Sequence, residues 1–379
     1  MKVAIDVTRA IIETAGIGRY TFELTHALLD NAPDYDFLIY STHFNNSEEK
    51  NKKFLSFKRE NVKLKRLHIP GKCKEFIWGL PINFLGKFIE NSDIIFAPSF
   101  FEAIAKSKIP QVVTIHDMST FIFPQQRGAK MSKYLCRRTA AVARRAYKIV
   151  AVSESTKNDL VKFLKLPEEK IQMIYPGVNQ LSAPSAKLPF DLKQGEYILC
   201  VGTVEPRKNL QGLFKAYSLL PESLQNTYKL VVCGGKGWND SQIYELAQPL
   251  VKKGQLVFTG FVSDRDLSKL YEDALLFIYP SLYEGFGFPI AEAMSFGLPV
   301  ISSNISSMPE VAGDAGLLID PNSPEDIAKA VERVINDNDL RKKMAFKSLR
   351  QCQKFSWRSS ARELRDLLDE AIQVDNANA

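Results

Sequence analysis

Arg207 and Lys208 stand side by side in VGTVEPRKNLQGL, residues 201–213, where an apolar run ends at Gly202 and a helical pattern opens near Asn209. Two cations at a helix start oppose the helix dipole, at roughly 0.3 to 1 kcal/mol each. The placement makes sense if they neutralise an anion. A diphosphate suits them, because arginine offers a planar fork and lysine a compact charge. A second pair carries the opposite sign: Glu284 and Glu292 lie eight positions apart in SLYEGFGFPIAEAMSFGLP, residues 281–299. The apolar run LLFIYPS delivers Glu284 into a loop, and Pro289 suits the first position of a helix ending around Gly297. Glu292 is then expected in the first helical turn. In the EGFGF stretch, Gly285 and Gly287 let the backbone approach a ligand beside Phe286 and Phe288, and the amides of residues 287–291 are donors for its oxygens. The plainer reading is an acid favourably placed at a helix N-terminus beside an unrelated loop acid. Cations at one strand end and carboxylates at another fit the phosphates and hydroxyls of a single ligand.

Weaker signals lie nearer the N-terminus. ETAGIGRYTFEL, residues 13–24, sets Gly16 and Gly18 ahead of a helix expected from about residue 18. The third glycine of a dinucleotide fingerprint is missing, so the pair either contacts a phosphate or sugar or simply makes a tight turn. His116 and Asp117 follow the apolar run VVTI. A histidine there either presents a ring nitrogen or its carbonyl to a substrate, or is a capping or core residue. The strings DYD at 34–36 and DND at 337–339 read as surface turns, and no metal is expected. The five cysteines (Cys73, Cys136, Cys200, Cys233, Cys352) are scattered without a CxxC, which argues against a disulfide framework or zinc site. Cys200 and Cys233 sit in or beside apolar runs and read as core packing.

The elements that position these residues follow from the hydrophobic pattern. Short Val/Ile-rich runs alternate with longer helical patterns, the signature of βα units around parallel sheets buried on both faces. Strands are expected at 2–7, 36–41, 62–67, 93–98, 111–117 and 148–153, then at 197–202, 229–235, 256–261, 275–281, 299–303 and 316–320. Between the two sets, PGVNQLSAPSAKLP, residues 176–189, replaces periodic hydrophobicity with Pro, Ser and small polar residues and reads as a linker. A chain of 379 residues accommodates two or three domains. The α/β class and two doubly wound Rossmann-like domains, 1–180 and 190–354, are the expectation, with ligands in a cleft at the carboxyl ends of the sheets.

Charge is unevenly held. Residues 1–180 carry 28 Lys and Arg against 18 Asp and Glu, a balance of +10, and the remainder carries −3. A basic half favours an anionic partner, unless the charges are merely solvated faces. The basic stretch at residues 50–88 also holds Phe76, Trp78, Phe84 and Phe88, a mixture that suits a membrane surface. The helix pattern YLCRRTAAVARRAYK, 134–148, adds Arg137, Arg138, Arg144 and Arg145 without any nucleic-acid motif, and nucleic acid is not expected as a partner. No apolar run reaches the roughly 20 residues of a membrane-spanning helix, and MKVAIDVTRAI does not read as a signal peptide. The expected location is the cytoplasm, with peripheral contact to a membrane as an open option.

Taken together, Glu284 to Glu292 within EGFGFPIAEAMSFGLPV, VGTVEPRKNL, VVCGGKGW, FTGFVSDRDLSKLYEDALLFIYPS, IVAVSES followed by IYPGVN, and a late FSW resemble the retaining GT-B glycosyltransferases of the family 4 type, whose signature is E-x7-E. The resemblance covers nearly the whole chain. It implies metal-independent transfer of a hexose, with mannose and glucose both open, from a nucleotide diphosphate sugar such as GDP-mannose or UDP-glucose. The acceptor would be a hydroxyl of a glycan or lipid-linked saccharide in polysaccharide biosynthesis. It further implies that Arg207 and Lys208 hold the leaving diphosphate, that Glu284 contacts the donor sugar and Glu292 the ribose, and that the base lies near Gly260, Phe261 and Val262. His116 would position donor and acceptor, and a C-terminal helix, 355–373, would pack back onto the N-terminal domain. Gly202 ends the first strand of the second domain, and many relatives carry Arg at the next position, where this chain has Thr203. A GT-B nucleotide-sugar epimerase and a non-catalytic sugar-nucleotide-binding protein are the alternatives. Oligomeric state is not legible.

Overall fold

A computed structural model of the chain describes residues 1–13, 16–42, 47–67, 89, 91–104, 107–178 and 183–378. It divides into one unit of Met1–Gly177 with Ser356–Ala379 and a second of Val178–Phe355.

Among the described residues, the first unit holds a seven-stranded parallel sheet: β1 Lys2–Asp6, β2 Asp36–Ser41, β3 Val62–Arg66, β4 Ile94–Ala97, β5 Gln111–Ile115, β6 Lys148–Ala151 and β7 Ile171–Met173. The order is β3-β2-β1-β4-β5-β6-β7. Val3 pairs with Phe37 on one side and with Ile94 on the other, so β1 is central. Strands β4 and β5 are buried along their whole length, as apolar runs in a sheet covered on both faces must be. The edge strand β3, VKLKR, carries three charged residues, with Lys63 exposed, and charge on an edge strand disfavours edge-to-edge pairing. Strand β7 was not expected. Its three residues include an exposed Gln172, too little for a periodic signal.

The second unit holds six parallel strands: β8 Tyr197–Val201, β9 Lys229–Cys233, β10 Leu256–Gly260, β11 Leu276–Tyr279, β12 Val300–Ser303 and β13 Gly316–Ile319, in the order β10-β9-β8-β11-β12-β13. The core joins Ile198, Cys200, Leu230, Val232, Leu276 and Ile278 from the sheet to Leu213, Phe214 and Tyr217 from the helix Leu210–Ser218. Each such apolar side chain contributes about 1.5 to 3 kcal/mol by leaving water. Cys200 and Cys233 are buried, and burial pushes the Cys200 thiol up to about 12.

Each sheet changes winding direction once, β1 lying between β2 and β4 and β8 between β9 and β11. At such a point the chain leaves the two neighbouring strands in opposite directions and opens a crevice at their carboxyl ends.

The chain leaves the first unit after Gly177 and returns at Ser356, so FSW is divided: Phe355 belongs to the second unit and Trp357 to the first. The helix Trp357–Asn378 is tied to the first unit by several side chains. Ser360 Oγ donates to the Tyr175 carbonyl at 2.5 Å, and Tyr35 Oη to Asp369 at 2.5 Å. Lys148 pairs with Glu370 at 2.8 Å, and Arg365 pairs with Asp34 at 2.8 Å. Leu364, Leu368 and Ala371 are buried between them. Part of the expected linker is anchored rather than loose, since the Ser185 amide donates to the Arg265 carbonyl at 3.1 Å and its hydroxyl to Asp266 at 2.6 Å.

Candidate functional site

After β8 the chain must clear the end of β9. A Cβ on Gly234 would lie 2.1 Å from the Gly202 carbonyl oxygen, so no side chain fits where the two strand ends meet. The backbone then makes a short 3-10 turn, Pro206–Lys208, and passes through Asn209 in a left-handed conformation (φ 54°) before the helix opens at Leu210. Arg207 and Lys208 thus occupy a turn of their own. The Asn209 side chain donates through Nδ2 to the Pro321 carbonyl, after β13, at 2.6 Å, and the Leu282 backbone amide donates to the Arg207 carbonyl at 2.8 Å, joining the loop after β8 to the loops after β13 and β11. The loops after β8 and β11 flank the winding switch between those two strands.

Both cations already have carboxylate partners within the unit, which the sequence reading did not contain. Arg207 Nη1 donates to Glu284 Oε2 at 2.7 Å and to the Tyr283 carbonyl at 2.7 Å, while its Nε and Nη2 reach Glu205 Oε1 at 3.0 and 2.7 Å. Lys208 Nζ donates to Glu284 Oε1 at 2.7 Å and to Tyr279 Oη at 2.5 Å, and Tyr279 Oη donates in turn to Glu284 Oε1 at 3.0 Å. Two cations and two carboxylates balance one another inside the unit. The like charges are tolerated because Glu284 bridges them, a contact that no local reading of residues 201–213 contains. Burial would raise the Glu284 carboxyl, but Arg207 and Lys208 outweigh it and hold it at about 2. Burial lowers the Lys208 ammonium, against the attraction of Glu284. Removing one member of a buried pair typically costs 3 to 5 kcal/mol, because the remaining charge is stranded.

The Glu284 loop is pinned from the end of β12. Ser306 Oγ accepts from the Glu284 amide at 3.2 Å and donates to its carbonyl at 2.7 Å. Ser307 Oγ lies 3.0 Å from the same carbonyl and 2.8 Å from that of Phe286. Ser306 sits at φ 56°, a left-handed conformation that costs of order 1–3 kcal/mol for a residue with a Cβ.

The following helix, Phe288–Ser295, begins one residue before Pro289, with Gly287 at φ 102° as its N-cap, and Gly297 lies just past its end. Glu292 is its fifth residue, beyond the first turn where it was expected, so the dipole argument for it weakens. It is buried and accepts from Tyr271 Oη at 3.0 Å. The two acids of E-x7-E therefore have separate partners. The expected row of amides is also shorter: Pro289 has no N–H, and the Ile290 amide turns back to the Gly287 carbonyl at 3.0 Å. Gly285, Phe286 and Gly287 are buried, Phe288 and Val262 half-buried, and Thr203 exposed. Phe261 is 73% exposed, an unusual position for a ring at a strand end and one open to stacking.

In the first unit, Gly16 caps the helix Ile17–Asn31 at φ 55°. A Cβ on Gly18 would meet the Glu13 carbonyl oxygen at 2.5 Å, so the chain's own packing demands glycine there. His116 follows β5, and its Nε2 donates to the Pro98 carbonyl at 2.8 Å, which leaves the lone pair of the neutral ring on Nδ1. Tyr20 packs edge-on against the imidazole at 4.6 Å, and burial pushes the His116 pKa down to about 4. Asp117 accepts from the Ser119 amide at 2.8 Å and acts as a local cap. Of the basic aromatic stretch at 50–88, Phe76, Trp78, Phe84 and Phe88 lie outside the described residues, as does Cys73. No helix among the described residues is long and apolar enough to cross a membrane.

Sequence reasoning missed Glu205, Tyr271, Tyr279, Ser306 and Ser307. The first three lie inside motifs singled out for other residues, and the serines lie in SSNISSMPE, which carries no distinctive spacing.

Comparison with known proteins matches residues 14–180 to the model "Glycosyltransferase Family 4" and residues 186–349 to "Glycosyl transferases group 1". The chain is 36% identical over 253 residues to O-antigen chain mannosyltransferase B of Escherichia coli, covering 65% of this chain and 66% of that protein. It is 32% identical over 290 residues to the serotype-specific mannosyltransferase WbdA of Escherichia coli, covering 71% of this chain and 36% of WbdA. The chain thus spans just under two thirds of the first relative and little more than a third of the second. Sucrose-phosphate synthase from Thermosynechococcus elongatus superposes with a TM-score of 0.77 at 18% identity, over 99% of this chain and 100% of that one. With one family model on each unit and a shared architecture of two parallel-sheet domains, the chain belongs to the glycosyltransferases of the GT-B fold.

Proposed function

We propose that the protein is a retaining mannosyltransferase that moves mannose from a nucleotide diphosphate sugar, GDP-mannose first among the candidates, to a hydroxyl of a growing glycan. The observation that carries the reading is the buried cluster of Arg207, Lys208 and Glu284, built by the loops after β8 and β11 on both sides of the winding switch. The identity to O-antigen mannosyltransferases supports mannose as the sugar and a polysaccharide as the product.

Cleavage of the anomeric C–O bond leaves charge on the β-phosphate, and fixed cations stabilise that charge more in the transition state than in the ground state. An ammonium has three donors. Two of those on Lys208 go to Tyr279 and Glu284, and the third is assigned to a phosphate oxygen. Glu284 and Glu205 keep the two cations in register before the donor arrives, so no reorganisation is needed at the moment of reaction. Glu284 also contacts the donor sugar hydroxyls, Glu292 the ribose, and Phe261 with Val262 the base. In this scheme the departing phosphate accepts the acceptor's proton, front-face attack keeps the anomeric configuration, and no metal takes part. His116 presents Nδ1 as a neutral acceptor to a substrate hydroxyl.

The test is incubation with GDP-mannose or UDP-glucose, with and without a mannose-terminated oligosaccharide. Nucleoside diphosphate release that requires both GDP-mannose and acceptor, with an α-linked product by NMR, is the expected result. A β-linked product from the α-linked donor rules out retention, and turnover with UDP-glucose alone rules out mannose.

A further inference from the structure

The first unit has a concave feature lined by none of the residues proposed for the transfer reaction. A groove of about 640 Å3 is lined by Lys108 and Pro110 ahead of β5, by Arg144, Arg145 and Tyr147 between the helix Ala129–Arg145 and β6, and by Lys170 just before β7. All of these residues precede their strands, so the groove opens at the amino end of the sheet. His116 follows the carboxyl end of β5, which is about 17 Å long at five residues. The groove is therefore distinct from that end of the unit.

Its walls are fixed by neutral groups. The Gln111 side chain donates to the Ile104 carbonyl at 2.8 Å and accepts from the Ile104 amide at 2.9 Å, clamping the segment that carries Lys108. The Tyr147 amide donates to the Gln111 carbonyl at 2.8 Å, and Lys170 Nζ donates to the Arg144 carbonyl at 2.7 Å. Four cations from three segments converge here, and among the described residues no carboxylate lines the groove. Two nearby acids pair elsewhere: Glu168 faces Lys157 at 3.9 Å, and Glu370 takes Lys148 at 2.8 Å. Arg144 and Arg145 suit the last turn of a helix, where the dipole favours cations. Lys108, Arg144 and Arg145 are exposed, and Lys170 joins them from a separate segment. Lys170 is half-buried against a neutral carbonyl, and its burial lowers the ammonium's pKa.

We propose that this groove is a binding site for a phosphate-bearing anion, with Lys108, Arg144, Arg145 and Lys170 as its ligands. Phosphate fits best, because arginine forks and lysine point charges together satisfy several oxygens of one group. The groove is larger than a single phosphate needs, which suits a diphosphate or a phosphate carried on a larger molecule. The source is either a soluble phosphate compound or the headgroup of an anionic lipid.

The experiment is calorimetric titration of inorganic pyrophosphate into the full chain, into Arg207→Ala, and into Arg207→Ala that also carries either Lys108→Gln or the double variant Arg144→Glu with Lys170→Gln. The Arg207→Ala background separates this groove from the proposed donor site. Binding that persists in Arg207→Ala, weakens about tenfold when Lys108→Gln is added and disappears when the double variant is added is expected, with thermal midpoints checking that each variant is folded. Co-sedimentation of the same proteins with phosphatidylcholine vesicles, with and without phosphatidylglycerol, distinguishes the sources. Vesicle binding lost in the double variant assigns a headgroup, and pyrophosphate binding without vesicle binding assigns a soluble phosphate. Unchanged binding in both groove variants, complete loss in Arg207→Ala, or no binding of either probe by the wild type overturns the proposal.

Discussion

After β8 and β11 the chain places two cations and two carboxylates in one buried, charge-balanced cluster. After β1 and β5, in a sheet of the same kind, it places two glycines and a neutral imidazole whose partners are backbone and an aromatic ring. Buried ions need partners with good geometry, and the second unit supplies them from loops far apart in sequence. Glycine and histidine need only local room and one acceptor. A site for a charged ligand should therefore be sensitive to any single ionic member, whereas the first unit's residues should respond mainly through packing.

The sharpest way to break that contrast is Lys208→Ala. Turnover should fall roughly a hundredfold or more, the usual result of losing a transition-state donor. Denaturant unfolding should show a loss of about 3 to 5 kcal/mol, since Glu284 is left with one fewer partner. Little change in both would mean that the cluster is ornamental.

Glu284→Gln sharpens the comparison through pH. The folded-state carboxyl lies at about 2 against an ordinary 4.5, so its contribution is fully present above 4.5 and is lost as pH falls through 2. Over that window the wild type should lose about 3 kcal/mol that the variant does not lose. Turnover should drop at least tenfold while affinity for nucleoside diphosphate holds or rises, because one negative charge is gone from beside the cations. Parallel acid-unfolding curves for the two proteins would contradict the pairing.

Gly18→Ala tests the other side. The added methyl meets the Glu13 carbonyl, and a loss of about 1 to 3 kcal/mol is expected with an unchanged KM for the donor. A raised KM without loss of stability would return Gly18 to the ligand site. The smallest effect belongs to Ser307→Ala, about 1 kcal/mol by thermal unfolding for one lost donor to the Glu284 and Phe286 carbonyls.

The strand framework was legible because each buried parallel strand is a compact Val/Ile-rich run. The twelve expected strands lie within a residue or two of those observed, and β7 escaped because three residues with Gln172 in the middle carry no period. Arg207, Lys208 and Glu284 were also legible as residues, since charge at an apolar strand end is conspicuous. Their mutual pairing was not. Arg207 and Glu284 are 77 positions apart, and only the adjacency of β8 and β11 brings them together. Glu292 shows the converse. Its spacing from Glu284 was plain, but its place in the helix depended on where the first turn began, and one residue at Phe288 moved it inward.

The central claim is that Arg207, Lys208 and Glu284 form the seat of the donor's diphosphate. Its most direct test is calorimetric titration of GDP, and then UDP, into the wild type and into Arg207→Ala. At least one nucleotide should bind the wild type, and its Kd should rise tenfold or more in the variant. Equal affinity in the two proteins would contradict the claim.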